Sequence, residues 1–375
     1  MRIAAIDTWV VNIPLRVAFA SSFETKAGTT RTVIRVTADT GAVGWGETMH
    51  GRPTRAIVER IKDGFLGLDP RATAEVARRS NMVPFFHGYL GYCAIAGIEM
   101  ALFDLVGRTT GTPLHLLLGG ALVEEIPITA LLTRAEAPDA TPSELPLALA
   151  RAGAAIVADG RFRSLKFKGS SDVRFDVAVM RELRRALPDT GLRVDPNAIW
   201  SVTESLWAAR ELEELDLEYL EDPCAGIEGM ARVAAATRTP LCTNMCVVRL
   251  EDFAPAIRAN AVQVVHADPH KWGGIHASIA MHAICRAFGL GVGMHSGGEL
   301  GISRACDLGI AAALGIDFPA DAMYYLLMED LITEPLSVSA GAMRVPQGPG
   351  LGVEVDLEKL AEFAARNERE GDHTM

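Results

Sequence analysis

No stretch of this 375-residue chain approaches the roughly 18 consecutive apolar residues that a bilayer span needs. A membrane-spanning protein is therefore not expected. The N-terminal MRIAAIDTWVVNIPL alternates like a strand, and Asp7 interrupts any apolar core of a signal peptide. Positive charge is scarce: 36 Lys and Arg stand against 47 Asp and Glu, a net charge of −11. That balance argues against nucleic acid and against anionic membrane surfaces as partners. The six cysteines, at 93, 224, 242, 246, 285 and 306, are expected as buried free thiols. Cys242 and Cys246 have no second Cys/His pair at zinc-finger spacing. His266, His270, His276 and His282 likewise show no pattern that completes a zinc site. The glycine-rich GVGMHSGGELG lacks the Lys-Ser/Thr ending of a phosphate loop and the spacing of a dinucleotide fingerprint. These absences leave a cytoplasmic globular protein as the expectation.

What is present is a chain long enough for one large α/β unit or two domains, with 49% apolar and 22% charged residues, able to bury a large core. The first 120 or so residues read as an α+β unit. RTVIRVTADTGAVGWGE is two alternating runs joined at Asp39-Thr40-Gly41, a hairpin signal. Helical patterns then run through GIEMALFDLVGRTTG to LHLLLGG. Beyond that point the rhythm changes. Short Val/Ile/Leu-rich runs (IPITALLT, SLKFKG, GLRVDPN, LEYLEDP, PLCTNM, AVQVVHADP, GLGVGMHS) alternate with amphipathic helical stretches. Thr141-Pro142-Ser143-Glu144 and Ser201-Val202-Thr203-Glu204 read as capping boxes, the first with Pro at the opening helical position. Seven strand–helix units in about 200 residues predict a closed parallel β/α barrel rather than an open sheet.

The barrel reading explains a recurring event. Lys168, Asp195, Glu221, Asn244, Asp268 and His295 each stand where an apolar run stops, at separations of 27, 26, 23, 24 and 27 residues. One polar group per unit, always at the C-terminal end of its strand, places all six on the face where barrel active sites are built. Asp195, Glu221 and Asn244 fall on consecutive strands. Two carboxylates and an amide oxygen, with no His or Cys among them, suit a hard cation such as Mg²⁺. Lys166 and Lys168 alternate around Phe167, so both lysines face the barrel interior. A lysine beside a second cation and a metal should have a lowered pKa and serve as a base. On the far side, Asp268 can fix the tautomer of His295 and raise its basicity.

LKFKG, VDPN, YLEDPC, CTNM, ADPHKWGG and GMHS together resemble the enolase superfamily of the mandelate racemase/muconate lactonizing enzyme type, over nearly the whole chain. Within it they look most like the glucarate dehydratase subgroup, Asn244 in Thr243-Asn244-Met245 being the most specific clue; PQGPGLGVEVD near the end agrees. The resemblance implies a (β/α)₇β barrel over residues 123–325. It implies an α+β capping domain from residues 1–122, and a segment 326–375 that returns to that cap. It further implies Mg²⁺ on Asp195, Glu221 and Asn244, with Lys168 as a base and Lys166 as its electrostatic partner. His295 with Asp268 would be the acid/base on the other face, and Asn197 a hydrogen-bonding neighbour. The implied reaction removes the proton α to a substrate carboxylate and expels the β-hydroxyl, giving a 2-keto-3-deoxy acid; a Lys or His base with Mg²⁺ stabilising an ene-diolate is a mechanism known for the superfamily. The implied partner is a small acid-sugar carboxylate, bound by a homo-oligomeric enzyme.

The chain also departs from that subgroup. TALLTR stands where the dehydratases have aromatics on the first barrel strand, and His295-Ser296-Gly297-Gly298-Glu299 stands where they continue HSNNH. The charged RNEREGDHTM ends the chain without the extension that supplies an arginine to a diacid. Glucarate is therefore expected to be a poor substrate. Two alternatives accompany the dehydratase reading: a racemase or epimerase working by proton transfer between the same two faces, and a catalytically silent Mg²⁺-binding homologue.

Overall fold

The computed structural model of the chain describes residues 1–373. The alternating N-terminal segment forms β1 (Ile3–Ala20), antiparallel to β2 (Thr25–Ala38). The expected turn at Asp39-Thr40-Gly41 leads into β3 (Val43–Met49), with Gly41 at φ +83° in the left-handed region that glycine tolerates. This three-stranded sheet packs on the helix Tyr89–Thr110. Contact is close because Gly46 carries no side chain; a Cβ there would lie 2.0 Å from the Gly97 carbonyl oxygen.

That helix bears on the membrane reading of the sequence. It is 22 residues long, and an 18-residue window within it has a mean hydropathy of 1.5, making it long and apolar enough by composition to cross a membrane. It is instead mostly buried in the protein, and two of its buried carboxylates make cross-links. Asp104 accepts the backbone N–H groups of Trp45 and Leu351, both at 2.8 Å. Glu99 accepts the N–H of Ile275 and, at 3.2 Å, that of His276, at the start of the helix Ile275–Phe288. These bonds satisfy polar groups that burial would otherwise penalise.

All seven expected barrel strands are present: β4 (Glu125–Leu132), β5 (Ser164–Lys168), β6 (Gly191–Asp195), β7 (Tyr219–Glu221), β8 (Leu241–Thr243), β9 (Val264–Ala267) and β10 (Gly291–Met294). They pair in parallel in sequence order. An eighth, β11 (Ala320–Asp321), lies parallel to β4. On the β10 side Asp317 makes the join, its N–H on the Val292 carbonyl and its Oδ2 on the Val292 N–H, both at 2.8 Å. Phe167 packs into the surrounding apolar core while Lys166 and Lys168 turn inward, as strand alternation requires.

The Ser201 capping box forms with Glu204 and opens the helix Val202–Leu212. The one expected at Thr141 does not. The helix starts at Leu145, and Thr141 instead pairs with Glu144 ahead of it, Oγ1 to Oε2 at 2.5 Å. With Pro142 and Pro146 both close to the helix start, the first turn moves downstream. The chain after residue 325 divides its contacts. Strands β12 (Val338–Ser339) and β13 (Ala342–Arg344) form a hairpin whose second strand pairs antiparallel with β4. The helix Leu357–Glu370 packs against β1, where Asn12 Nδ2 donates to the Gly371 carbonyl at 2.7 Å.

The cap is fastened to the barrel by a buried ion pair. Arg31 of β2 donates from Nε to Glu47 of β3 at 2.7 Å, and Glu47 accepts the N–H groups of Leu300 and Ser303, each at 2.9 Å. Arg31 Nη2 also reaches His270 Nε2 at 3.0 Å. Burial, with Arg31 alongside, pushes the His270 pKa down to about 3, so the ring is neutral and accepts from the guanidinium. A histidine held below its ordinary value of 6.5 binds fewer protons folded than unfolded, so stability is lost as pH falls from about 6.5 towards 3. Urea unfolding across that range should show this loss, on the order of a few kcal/mol. It should be smaller in His270→Gln, whose amide oxygen can still accept from Arg31. Equal acid sensitivity of the two proteins would contradict the assignment.

Candidate active site

Every residue singled out in the sequence sits at the barrel mouth. Lys168 ends β5 with Lys166 two residues before it, Asp195 ends β6 and Glu221 ends β7; Asn244, Asp268 and His295 are the first residues beyond β8, β9 and β10. Lys168, Asn197, Asn244 and His295 line a cavity of about 420 Å³ that the cap closes from above with Phe19, Lys26 and Arg31 among others. Strands β5 and β10 are separated by β6 to β9 on one side and by β4 and β11 on the other. Lys168 and His295 therefore enter the cavity from opposite walls.

The carboxylates are already neutralised by lysines. Lys166 Nζ lies 2.5 Å from Glu221 Oε2, 2.5 Å from Asp321 Oδ2 and 3.8 Å from Asp195 Oδ2. Lys168 Nζ donates to Asp195 Oδ2, which also accepts Asn197 Nδ2 at 3.0 Å. Burial alone would lower the pKa of Lys166, but Asp321, Glu221 and Asp195 raise it above the ordinary lysine value. The same pairing works in reverse on Glu221: burial would raise it, and Lys166 holds it well below the usual carboxylate range. Lys166 is thus a fixed countercharge.

Backbone strain is concentrated here. Asn197, Ala198 and Asp222 have φ of +54°, +60° and +36° without being glycine. Asp222 explains why they persist: Oδ1 accepts Thr243 Oγ1 at 2.5 Å, Oδ2 accepts Asn244 N–H at 2.8 Å, and its carbonyl accepts Ala198 N–H at 2.7 Å. One residue, through its side chain and its carbonyl, ties together the ends of β6, β7 and β8. Burial, then the neighbouring Glu221, pushes its pKa up to about 7.

Asp195, Glu221 and Asn244 form an oxygen donor set of the kind a hard divalent cation takes. Glu221 Oε2 is completely buried against Lys166 Nζ but makes no aligned hydrogen bond among the described residues, so a divalent cation would share this oxygen with the lysine. The Asn244 amide is turned with Nδ2 towards Glu221 Oε1 at 2.5 Å and Oδ1 towards Lys271 Nζ at 2.7 Å. The fold also brings Glu221, Cys242 and His266 together, a trio the spacing concealed. Burial, then Glu221, holds the Cys242 thiol well above its ordinary pKa, which disfavours the thiolate that zinc would need.

His295 Nδ1 meets Asp268 Oδ2 at 2.8 Å, and Asp268 Oδ1 accepts the His270 N–H at 2.9 Å. The pair fixes the ring, leaving Nε2 as the acceptor of a neutral imidazole. The expected gain in basicity is not seen. Burial, with Lys271, Lys166 and Lys168 nearby, holds His295 well below its ordinary pKa. A cluster of cations outweighs one carboxylate.

Three residues of the site were not singled out in the sequence. Asp321 lies 26 residues beyond His295, in step with the strand-end period, but its strand is only two residues long and gives no apolar run. Lys271 follows Asp268 by one helical turn, and Asp222 stands beside Glu221, where only three-dimensional contacts reveal its three bonds.

Residues 4–119 match the mandelate racemase/muconate lactonizing enzyme N-terminal domain, and residues 148–360 match the enolase C-terminal domain-like family. The chain belongs to the enolase superfamily, in its mandelate racemase/muconate lactonizing enzyme branch, near the glucarate dehydratase group. A protein of Streptomyces coelicolor named "Probable glucarate dehydratase" is 40% identical over 293 residues, 75% of this chain and 68% of that one. An enolase from Streptomyces coelicolor, solved without Mg, superposes with a TM-score of 0.99 at 55% identity, covering 100% of both chains. One from Thermobispora bispora, complexed with magnesium and formate, gives 0.89 at 31% identity over 100% of this chain and 95% of its own.

Asn244→Leu should lose activation by Mg²⁺, whereas Asn244→Asp should keep much of it, because amide and carboxylate oxygens are both hard ligands. Titrating activity with Mg²⁺ checks this; an Asn244→Leu protein activated like wild type would remove Asn244 from the ligand set.

Proposed function

We propose that the protein is a Mg²⁺-dependent acid-sugar dehydratase of the glucarate dehydratase kind. The observation that carries this is the pair of proton-transfer groups, Lys168 and the Asp268-bound His295, on opposite walls of one cavity with an all-oxygen donor set between them. Mg²⁺ held by Asp195, Glu221 and Asn244 would supply charge that acidifies the proton α to a substrate carboxylate. Lys168 takes that proton on one face. His295, oriented by Asp268, works on the other face: its neutral imidazole first takes up a proton at Nε2 from solvent, and the imidazolium then gives that proton to the departing β-hydroxyl, which leaves as water. Lys166 keeps Glu221 ionised throughout, and Asn197 steadies Asp195. The enol left behind tautomerises to a 2-keto-3-deoxy acid. The bound formate of the Thermobispora bispora protein supports a small carboxylate as the substrate. A cytoplasmic location, supported by six free cysteines, and a homo-oligomeric state are part of the same reading, the cysteines bearing on the location alone.

The same two faces favour one second reading, a racemase or epimerase in which His295 returns a proton instead of assisting hydroxide loss. ¹H NMR exchange in D₂O with an acid-sugar library separates the two by product. With a substrate that starts at Lys168, Lys168→Ala should abolish α-proton exchange. His295→Asn should block dehydration and leave exchange in place, each rate loss being about 10²–10⁴-fold. If both variants exchange and turn over like wild type, the two-faced chemistry is wrong.

Glucarate should be turned over weakly or not at all, since the seventh-strand loop continues Ser296-Gly297-Gly298. Assays of matched mono- and diacid sugars check this. A glucarate kcat/KM of about 10⁴ M⁻¹s⁻¹ or more, typical of ordinary enzymes, would contradict it.

A further inference from the structure

Lys271 has no part in the chemistry proposed above, yet it is a half-buried lysine that lines the same cavity as Lys168 and His295. It belongs to the short helical turn Pro269–Trp272, which Trp272 anchors by donating from Nε1 to the His266 carbonyl at 3.0 Å. From there Nζ donates twice to one residue, to Asn244 Oδ1 at 2.7 Å and to the Asn244 carbonyl at 3.0 Å. The Nδ2 of that amide is committed to Glu221 Oε1. An amide has a single side-chain oxygen. Left as it is, that oxygen lies under the lysine; turned towards Asp195 and Glu221, it would bring Nδ2 against Nζ, donor facing donor. Either way Lys271 opposes the arrangement in which Asn244 serves a metal.

We propose that Lys271 is a positioning residue that competes with the divalent cation for the side-chain oxygen of Asn244, and that it yields this oxygen when an anionic ligand enters the cavity and takes over its Nζ. The proposal rests on the metal assignment of the preceding subsection. Its consequence is coupling: the cation binds weakly alone and more tightly with a carboxylate, and by linkage the carboxylate binds more tightly with the cation. A group merely propping up Asn244 would have the opposite effect, because its loss would weaken the metal site. The sign of one measurement therefore decides.

The test is Mn²⁺ binding followed by electron paramagnetic resonance, on wild type, Lys271→Met, Lys271→Gln and Lys271→Arg, with and without tartrate. Without tartrate, Lys271→Met and Lys271→Gln should each bind Mn²⁺ about tenfold more tightly than wild type, the scale on which groups behind metal ligands act. Lys271→Arg, which keeps the cation, should stay near wild type. Tartrate should tighten Mn²⁺ binding in wild type and much less in Lys271→Met. Unchanged or weaker Mn²⁺ binding in both neutral variants overturns the proposal, and the Gln variant serves if the Met variant does not fold. Loss of Mn²⁺ binding in every protein, wild type included, overturns the metal assignment along with it. Mn²⁺ binding that tightens as expected, with no acid sugar turned over, upholds the role of Lys271 and counts against the dehydratase reading alone.

Discussion

Three carboxylates at the mouth of a closed barrel need countercharge, and Lys166 supplies it from within the barrel itself. Its ammonium touches Glu221 and Asp321 and stands near Asp195, so one cation serves three strand ends. Unpaired buried carboxylates would protonate rather than stay ionised. The same pairing that lets this face exist in the folded chain also keeps Glu221 in the ionised form a hard cation requires. The rest of the site is arranged around that balance: Lys168 on Asp195, Asp222 across three strand ends, and Lys271 on Asn244.

The cap is tied to this arrangement by the pair Arg31–Glu47. Glu47 receives the first N–H groups of the helix Gly301–Leu314, just beyond the loop that follows His295, while Arg31 reaches His270 beside Asp268. Cap closure and the His295–Asp268 pair thus share a hydrogen-bonded neighbourhood. The cavity is covered by Phe19 of β1 and by Lys26 of β2, the strand that also carries Arg31.

Much of this was legible before any coordinates. The strand-end period works because each β/α unit must return the chain to the same face, so Lys168, Asp195, Glu221, Asn244, Asp268 and His295 share a spacing and a destination. What escaped had physical reasons. Asp321 ends a strand too short to show alternation. The helix Tyr89–Thr110 is apolar all round because the sheet, the barrel and other helices bury it, and composition cannot tell that from a membrane span. Thr141 and Glu144 have the capping spacing but bond to each other, since nearby prolines set where the helix begins. The low pKa of His295 depends first on burial and then on lysines from β5 and from the turn after β9, a sum that the Asp268 partnership read from sequence does not contain.

The central claim is that Asp195, Glu221 and Asn244 form one cation site facing Lys168 and His295. Crystals grown with Mn²⁺ and a hydroxy-acid ligand would test it most directly through anomalous scattering. The peak should lie among those three side chains, with the ligand carboxylate beside it and Lys271 turned away from Asn244. A peak among Glu221, Cys242 and His266, or none at saturating Mn²⁺, would contradict the account.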